Sequence, residues 1–143
     1  MEKGIIGLLE DVKAIVPSVP DLRTYSPLTL AYIGDAVYDL LIRTRVVLEA
    51  NCSPNRLHGK TVKFVRAKAQ ANAIDHMIDS LSEEERAVYK RGFNANPHTV
   101  SKNADHIDYL KATGFEALLG YLYLQDKLDR LTEIVSLSIQ LNL

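Results

Sequence analysis

Apolar residues recur at helical spacing through most of the chain, and no segment alternates apolar and polar residues as a half-buried strand does. Residues 5–16 and 128–141 carry the clearest examples of an apolar helix face. Ser26-Pro27 and Ser53-Pro54 each pair an N-cap serine with a proline at the first helical position. The pattern predicts an all-α, compact helical bundle with residues 17–26 and 93–102 as its main irregular connections.

A third helix start is predicted at Ser82, because Glu85 follows it at the spacing of a capping box. This helix is expected to run to about Lys90, and Gly92 is typical of a C-terminal stop.

Two segments are apolar on nearly every side and yet contain isolated carboxylates. Asp35 and Asp39 are the only charges in residues 28–42, and Glu116 is the only charge in residues 114–124. Burying an ionised carboxylate without a partner costs several kcal/mol, so each must meet a cation, a metal ion or hydrogen-bond donors, or lie at a cleft. An ion pair with a nearby arginine remains open for each acid, and Asp39, nearer the helix end, is expected to reach solvent.

Glycines inside these two helices predict where they meet. A mid-helix glycine costs about 1 kcal/mol against alanine unless a close backbone approach requires it. We therefore expect the helices to cross at Gly34 and Gly120. Asp35 adjoins the first and Glu116 lies one turn before the second, so their carboxylates are expected to converge on one ion.

Carboxylate oxygens and water are the ligands that Mg²⁺ prefers, with Mn²⁺ as a substitute. The four histidines show no zinc-ligand spacing on a shared helix face. Neither a nucleophile elbow nor a glycine-rich phosphate loop is present, and the single cysteine, Cys52, is expected to be a small half-buried residue.

Charge is segregated along the chain. A net charge of −1 and a pI near 6.4 argue against a nucleic-acid-binding protein when taken alone. Residues 50–74 and 89–104, however, hold eight of the 17 Lys and Arg and none of the acidic residues. Arg56, Lys60, Lys63 and Arg66 are predicted to share one helix face, which either tracks phosphates or is a solvated surface.

The 143 residues fit a single domain, residues 1–143. The longest run without a charged residue is 11 residues, so no membrane span is expected, and with no signal-peptide pattern the protein is expected to be cytoplasmic.

Residues 30–38, L-A-Y-I-G-D-A-V-Y, resemble the ribonuclease III signature, and residues 113–123, T-G-F-E-A-L-L-G-Y-L-Y, resemble the second acidic motif of that family. The segments V-R-A-K-A-Q at 65–70, K-R-G-F-N-A at 90–95 and S-K-N at 101–103 are similar to the Mini-III ribonucleases, which lack a double-stranded-RNA-binding domain. The resemblance covers about residues 25–125 and implies the ribonuclease III endonuclease fold.

The resemblance assigns roles to individual positions. Asp35 and Glu116 match the acids that bind Mg²⁺ and help to activate the attacking water, so both are the expected catalytic residues. Ala31 and Thr113 stand where the family has two further acids, which leaves fewer carboxylates per centre. Tyr32 matches an aromatic residue that contacts the partner subunit and implies a homodimer, although a plain core tyrosine is the alternative.

The implied reaction is hydrolysis of both strands of double-stranded RNA, leaving 5′-phosphate and 3′-hydroxyl ends. Precursor 23S ribosomal RNA is the implied substrate, with a ribosomal protein helping to present it. Because A-form RNA is recognised through shape, phosphates and 2′-hydroxyls, basic and amide side chains suit the contact. The expected RNA-binding residues are Lys60, Lys68, Gln70, Lys90, Arg91, Asn94, Lys102 and Asn103.

Two other functions remain open from the sequence. A non-catalytic RNA- or ribosome-binding module on the same fold would bind RNA without cleaving it. A helical dimer with an interaction role would pair Asp35 and Glu116 with arginines and would not be stabilised by a metal ion.

Overall fold

The computed structural model describes residues 14–16, 18–95 and 104–143, and within these ranges the chain forms helices and no β-strand. The all-α prediction is confirmed. Two short 3₁₀ helices, Leu22–Thr24 and Ile78–Ser80, accompany the α-helices. The α-helices are α1 Pro27–Glu49, α2 Pro54–Val65, α3 Ala67–Met77, α4 Glu83–Phe93, α5 Ala104–Leu124 and α6 Leu128–Leu141.

The three predicted helix starts are confirmed by their caps. The Ser26 hydroxyl accepts a hydrogen bond from the Leu28 amide, and the Ser53 hydroxyl accepts one from the Arg56 amide. At Ser82 the capping box is complete, because the Glu85 carboxylate also accepts a hydrogen bond from the Ser82 amide at 2.8 Å. These bonds satisfy amides that have no partner within the first helical turn.

Helix α5 lies at the centre of the bundle, between α1, α4 and α3. Phe115 and Leu118 are fully buried on this helix, and the Phe115 ring meets Tyr38 of α1 edge to face with ring centroids 5.5 Å apart. The Tyr38 hydroxyl in turn shares a 2.6 Å hydrogen bond with the buried Ser138 hydroxyl of α6. The core thereby joins α1, α5 and α6 and fixes the position of the two acid-bearing helices.

The predicted crossing of α1 and α5 is confirmed at the two glycines. A Cβ atom on Gly34 would overlap the Glu116 carbonyl oxygen and lie 2.8 Å from the Gly120 nitrogen. A Cβ atom on Gly120 would overlap the Leu30 carbonyl oxygen. Only glycine permits this backbone approach, so the crossing point is set by sequence.

Gly92 is not the helix stop that its position in the sequence suggested. Helix α4 continues to Phe93, and Gly92 is buried against α5, where a Cβ atom would lie 2.8 Å from the Gly114 Cα atom. Close helix packing, and not termination, is the physical reason for this glycine.

The predicted basic helix face is also wrong in part. Helix α2 ends at Val65, and Arg66 has an extended backbone with ψ 151°, so it separates α2 from α3. Only Arg56, Lys60 and Lys63 share a helix.

Several predictions lie outside the described residues, namely most of the helix expected over residues 5–16 and the RNA contacts Lys102 and Asn103. Cys52 is half-buried, as expected. No helix in the described part of the chain combines the length and apolar character needed to cross a membrane.

Candidate active site

A cavity of 430 Å³ opens where α1 crosses α5, and the junction of α2 and α3 forms its third side. Helices α1 and α5 contribute one acid each, Asp35 and Glu116, so the cavity contains both predicted catalytic residues. The remaining wall is mostly apolar or uncharged: Leu28, Ala31, Tyr32, Val65, Ala67, Gln70, Tyr109, Ala112 and Thr113.

The two long helices line the cavity with the same spacing. On α1 the cavity is lined by Leu28, Ala31 and Tyr32, which lie seven, four and three residues before Asp35. On α5 it is lined by Tyr109, Ala112 and Thr113, which lie at the same three distances before Glu116. Residues at these offsets share one face of an α-helix. On each helix the acid and the three lining residues before it therefore form one row along the helix face, with the acid at its C-terminal end. The two rows lie on opposite walls of the cavity.

The carboxyl groups of Asp35 and Glu116 are neighbours. Burial and the Asp35 charge raise the pKa of Glu116 to about 8, and the protonated Glu116 carboxyl donates a hydrogen bond to Asp35. The side-chain amide of Gln70 opposes part of this shift, since its Nε2 donates to Glu116 Oε2 at 3.3 Å. The two carboxyl groups are therefore close enough to interact directly.

The environment of these acids matches one of the alternatives that the sequence left open. Asp35 is exposed at a cavity, and Glu116 is half-buried on its wall. Within the described residues, no Lys or Arg forms an ion pair with either acid, so an arginine partner is not what stabilises them. The third acid, Asp39, does have a basic partner. It forms an ion pair with Arg43 Nε at 2.7 Å and is not part of the cavity wall.

The donor set of the cavity fits a magnesium or manganese ion. Mg²⁺ is commonly held by one or two carboxylates while it retains several waters, and the cavity offers two carboxylates with room for water. Gln70 Oε1 adds a buried oxygen that has no hydrogen-bond partner in the described structure. Among the described residues, no group of three or more His, Cys, Asp or Glu side chains is arranged to hold a metal ion.

Ala31 and Thr113 both line the cavity. Ala31 lies one turn before Asp35, and Thr113 lies one turn before Glu116. The two positions at which the resembled family has further acids are therefore on the wall of the same cavity, but here they add no charge to it.

The predicted RNA-binding residues that the structure describes are exposed, with one exception. Lys60 is exposed on α2 and Lys68 is exposed beside the cavity residue Ala67. Lys90, Arg91 and Asn94 are exposed at the end of α4, and Arg91 donates a 2.9 Å hydrogen bond to the Tyr25 carbonyl oxygen.

Gln70 is the exception and corrects the prediction. It is only 2% exposed because α3 turns its side chain inward, toward Glu116. A direct surface contact with RNA does not fit this position.

Aromatic side chains lie at the cavity mouth. Tyr32 is 82% exposed, so the alternative of a core tyrosine is wrong. Tyr109 is 55% exposed and was missed by the sequence analysis, although its position seven residues before Glu116 was an available signal.

Comparison with known families agrees with this geometry. Residues 28–127 match the model of the Ribonuclease III domain, a span that contains both acid-bearing helices. The chain therefore belongs to the ribonuclease III family.

Within that family the chain is similar to proteins named Mini-ribonuclease 3, which confirms the more specific resemblance. It is 47% identical to the one from Thermoanaerobacter sp. (strain X514) over 140 residues, covering 98% of this chain and 97% of the relative. It is 48% identical to the one from Brevibacillus brevis over 115 residues, covering 80% and 86%.

A solved structure shares the fold. The crystal structure of a Fusobacterium nucleatum protein aligns with a TM-score of 0.74 and 32% identity, covering 86% of this chain and 98% of that one. Together with the named relatives, family membership supports an endoribonuclease.

Proposed function

We propose that this protein is a Mg²⁺-dependent endoribonuclease, with Mn²⁺ as a substitute, that hydrolyses double-stranded RNA to 5′-phosphate and 3′-hydroxyl ends. The observation that carries the proposal is the Asp35–Glu116 pair, two adjoining carboxyl groups in an open cavity with no basic counter-charge among the described residues. Such a pair is costly in the absence of a cation, because like charges at short distance oppose ionisation.

A bound Mg²⁺ ion would polarise the phosphate and lower the pKa of a bound water molecule. The residues of this chain would hold and surround that ion. Asp35 and Glu116 would hold the cation, which would require Glu116 to be in its deprotonated form. Ala31 and Ala112 line the cavity and add no charge beside the two acids.

RNA is proposed to approach along the exposed basic residues on either side of the cavity. Lys68 follows the cavity residue Ala67, and Gly92 packs against Gly114, next to the cavity residue Thr113. Lys60, Lys90, Arg91 and Asn94 extend this surface, and Lys102 and Asn103 are proposed to join it. Contacts of this kind suit the phosphates and 2′-hydroxyls of an A-form duplex.

A homodimer is proposed to place two such centres along one duplex. An aromatic side chain as exposed as Tyr32 is unfavourable in water and typical of an interface. Its place at the cavity mouth brings the proposed dimer contact next to the proposed cleavage site.

Precursor 23S ribosomal RNA in the cytoplasm is the proposed substrate, with a ribosomal protein as an accessory partner. This part of the proposal rests on the similarity to Mini-ribonuclease 3 proteins.

The test is cleavage of a labelled RNA duplex and of its separate strands, with Mg²⁺ and with EDTA. We expect Mg²⁺-dependent cleavage of the duplex by the wild type, and its loss in Asp35→Asn and Glu116→Gln. Asp39→Asn is the matched control, because it removes a carboxylate of the same helix that is already paired with Arg43. Salt-sensitive duplex binding without cleavage at any Mg²⁺ concentration would instead identify a non-catalytic RNA-binding module.

A further inference from the structure

Gln70 lines the cavity although it is almost completely buried. Its Nε2 donates one hydrogen bond to the Val65 carbonyl oxygen at 2.8 Å and another to Glu116 Oε2 at 3.3 Å. Val65 is the last residue of α2, and Glu116 is one of the two acids. A single amide nitrogen therefore connects the end of a helix to a proposed metal ligand.

The Val65 carbonyl group fixes which way the amide faces. Carbonyl groups in the last turn of a helix have no partner within the helix, so this oxygen needs a donor and binds Nε2. The same nitrogen is then presented to Glu116. The opposite orientation would place Oε1 against two acceptors, which is unfavourable.

The other end of the amide is not satisfied. Gln70 Oε1 is buried and has no hydrogen-bond partner among the residues that the structure describes. A buried polar atom without a partner destabilises a fold. The hydrogen bond to Val65 stabilises the end of α2, and the same nitrogen also reaches Glu116, so one amide serves both the fold and the acid.

We propose that Gln70 is a positioning residue of the cleavage centre: its Nε2 holds the Glu116 carboxyl group in the orientation that faces the neighbouring Asp35. The inference rests on the proposed function and replaces the predicted RNA contact at this position. Gln70 acts through Glu116 and does not touch the RNA.

Two variants separate this role from the alternatives. Gln70→Leu fills a similar volume in the cavity wall but removes both hydrogen bonds of the Gln70 amide. Gln70→Glu keeps the shape of the side chain but replaces the amide donor by a carboxylate acceptor. Gln125→Leu is the matched control, because Gln125 Oε1 is also buried without a partner in the described chain but lies outside the cavity. The readouts are kcat and KM for an RNA duplex at saturating Mg²⁺, with folding checked by circular dichroism.

We expect kcat to fall about 10- to 100-fold in both Gln70 variants, because a misplaced group at a reacting centre costs that much. KM should change by less than about twofold, since RNA binding is not affected. Gln125→Leu should keep the wild-type kcat.

An unchanged kcat in Gln70→Leu overturns the proposal. A raised KM with kcat unchanged also overturns it, and would support the original prediction that Gln70 contacts RNA. A kcat loss of the same size in Gln125→Leu overturns it too, and if Gln70→Leu does not fold, Gln70→Glu decides alone.

Failure of the proposed function is distinguishable from failure of this inference. A wild-type protein that cleaves no duplex at any Mg²⁺ concentration refutes the proposed function. The rise in melting temperature caused by Mg²⁺ then tests Gln70 by itself, because a cation that binds only the folded protein stabilises it. A smaller rise in Gln70→Leu than in the wild type supports the positioning role, and an equal rise overturns it.

Discussion

Gly34 of α1 lies directly against the backbone carbonyl group of Glu116 in α5, at a distance that leaves no space for a Cβ atom. Asp35 follows Gly34 in the chain, so the residue next to the closest helix contact is one acid, and the contacted residue is the other. The helix crossing that forms the core is therefore also what brings the two carboxyl groups together.

Replacing Gly34 by alanine should destabilise the fold strongly. The new methyl group would overlap the Glu116 carbonyl oxygen, and α1 and α5 would have to separate at the centre of the core. Forced overpacking of this kind costs about 1–3 kcal/mol or more. The measurement is urea unfolding followed by circular dichroism.

Gly59→Ala is the control for that substitution. Gly59 lies inside α2, and a Cβ atom built on it would meet no other part of the described structure within 4 Å, its own helix backbone aside. Here the gain in helix propensity should stabilise the protein by up to about 1 kcal/mol. Equal effects of the two substitutions would contradict the assignment of Gly34 as the crossing point.

Replacing Asp35 by asparagine should stabilise the metal-free protein while removing its response to Mg²⁺. The Asp35 charge contributes, after burial, to the raised pKa of Glu116, so its loss relieves an unfavourable interaction. Thermal melting with EDTA and with Mg²⁺ measures both effects. Asp39→Asn, which breaks an exposed ion pair, should leave the Mg²⁺ response intact. A wild-type Mg²⁺ response in Asp35→Asn would exclude this acid as a ligand.

The stabilisation by Mg²⁺ should increase with pH. Glu116 has a pKa raised to about 8 in the folded, metal-free protein, so its protonated form contributes stability that is complete below the pKa of the unfolded chain. That contribution is lost as the pH rises toward 8, and over the same range the cation no longer competes with a proton. Melting temperatures between pH 5.5 and 8.5, with and without Mg²⁺, should diverge as the pH rises. A constant difference would show that the cation does not displace a proton from Glu116.

The sequence was sufficient to predict the helix starts and the helix crossing, because both depend on short-range chemistry. Ser26, Ser53 and Ser82 cap their helices through residues two or three positions away, and Gly34 is conspicuous in an otherwise apolar helix. Such features require no knowledge of distant contacts.

Features that depend on tertiary packing were not predictable in the same way. Gly92 has the sequence context of a helix stop, but its contact with Gly114 is visible only when α4 lies on α5. The inward orientation of Gln70 depends likewise on where α3 meets α5, and the RNA-binding motif alone gave no reason to expect it. For Asp35, the flanking sequence left open both burial with a partner and a position at a cleft, and the tertiary packing places it at the cavity.

Replacing Glu85 by glutamine should destabilise the protein at neutral pH and much less in acid. Arg130 donates two hydrogen bonds to the Glu85 carboxylate, at 2.8 Å from Nε and 2.9 Å from the terminal nitrogen. These bonds lower the pKa of Glu85, so its stabilising contribution is present above the pKa of the unfolded chain and is lost as the pH falls through the lower folded value. Glutamine can retain the capping bond to Ser82, which restricts the change to the ion pair.

Urea unfolding at pH 7 and pH 3 measures the effect of Glu85→Gln. We expect a loss of about 1–3 kcal/mol at pH 7, in the range of a charge-assisted hydrogen-bonded pair. Glu83→Gln, at an exposed position in the same first turn, is the control and should change stability little at either pH. A loss of equal size at pH 3 would show that the charge of Glu85 is not what stabilises the pair.

Replacing Thr113 by aspartate should convert the cavity into a stronger cation site at the expense of metal-free stability. Thr113 is half-buried in the wall one turn before Glu116, and its hydroxyl donates only to the Tyr109 carbonyl oxygen of its own helix. A third carboxylate would add repulsion to the existing pair, and the metal-free melting temperature should fall by roughly 3–5 °C for a cost near 1 kcal/mol. The same charge would attract Mg²⁺, so half-saturation in a calorimetric titration should occur at a lower Mg²⁺ concentration.

Thr113→Asn is the control, because asparagine has the shape of aspartate without its charge. It should leave both the melting temperature and the Mg²⁺ affinity near those of the wild type. If Thr113→Asp lowered the melting temperature without increasing the affinity for Mg²⁺, the cation would have to bind elsewhere than between Asp35 and Glu116.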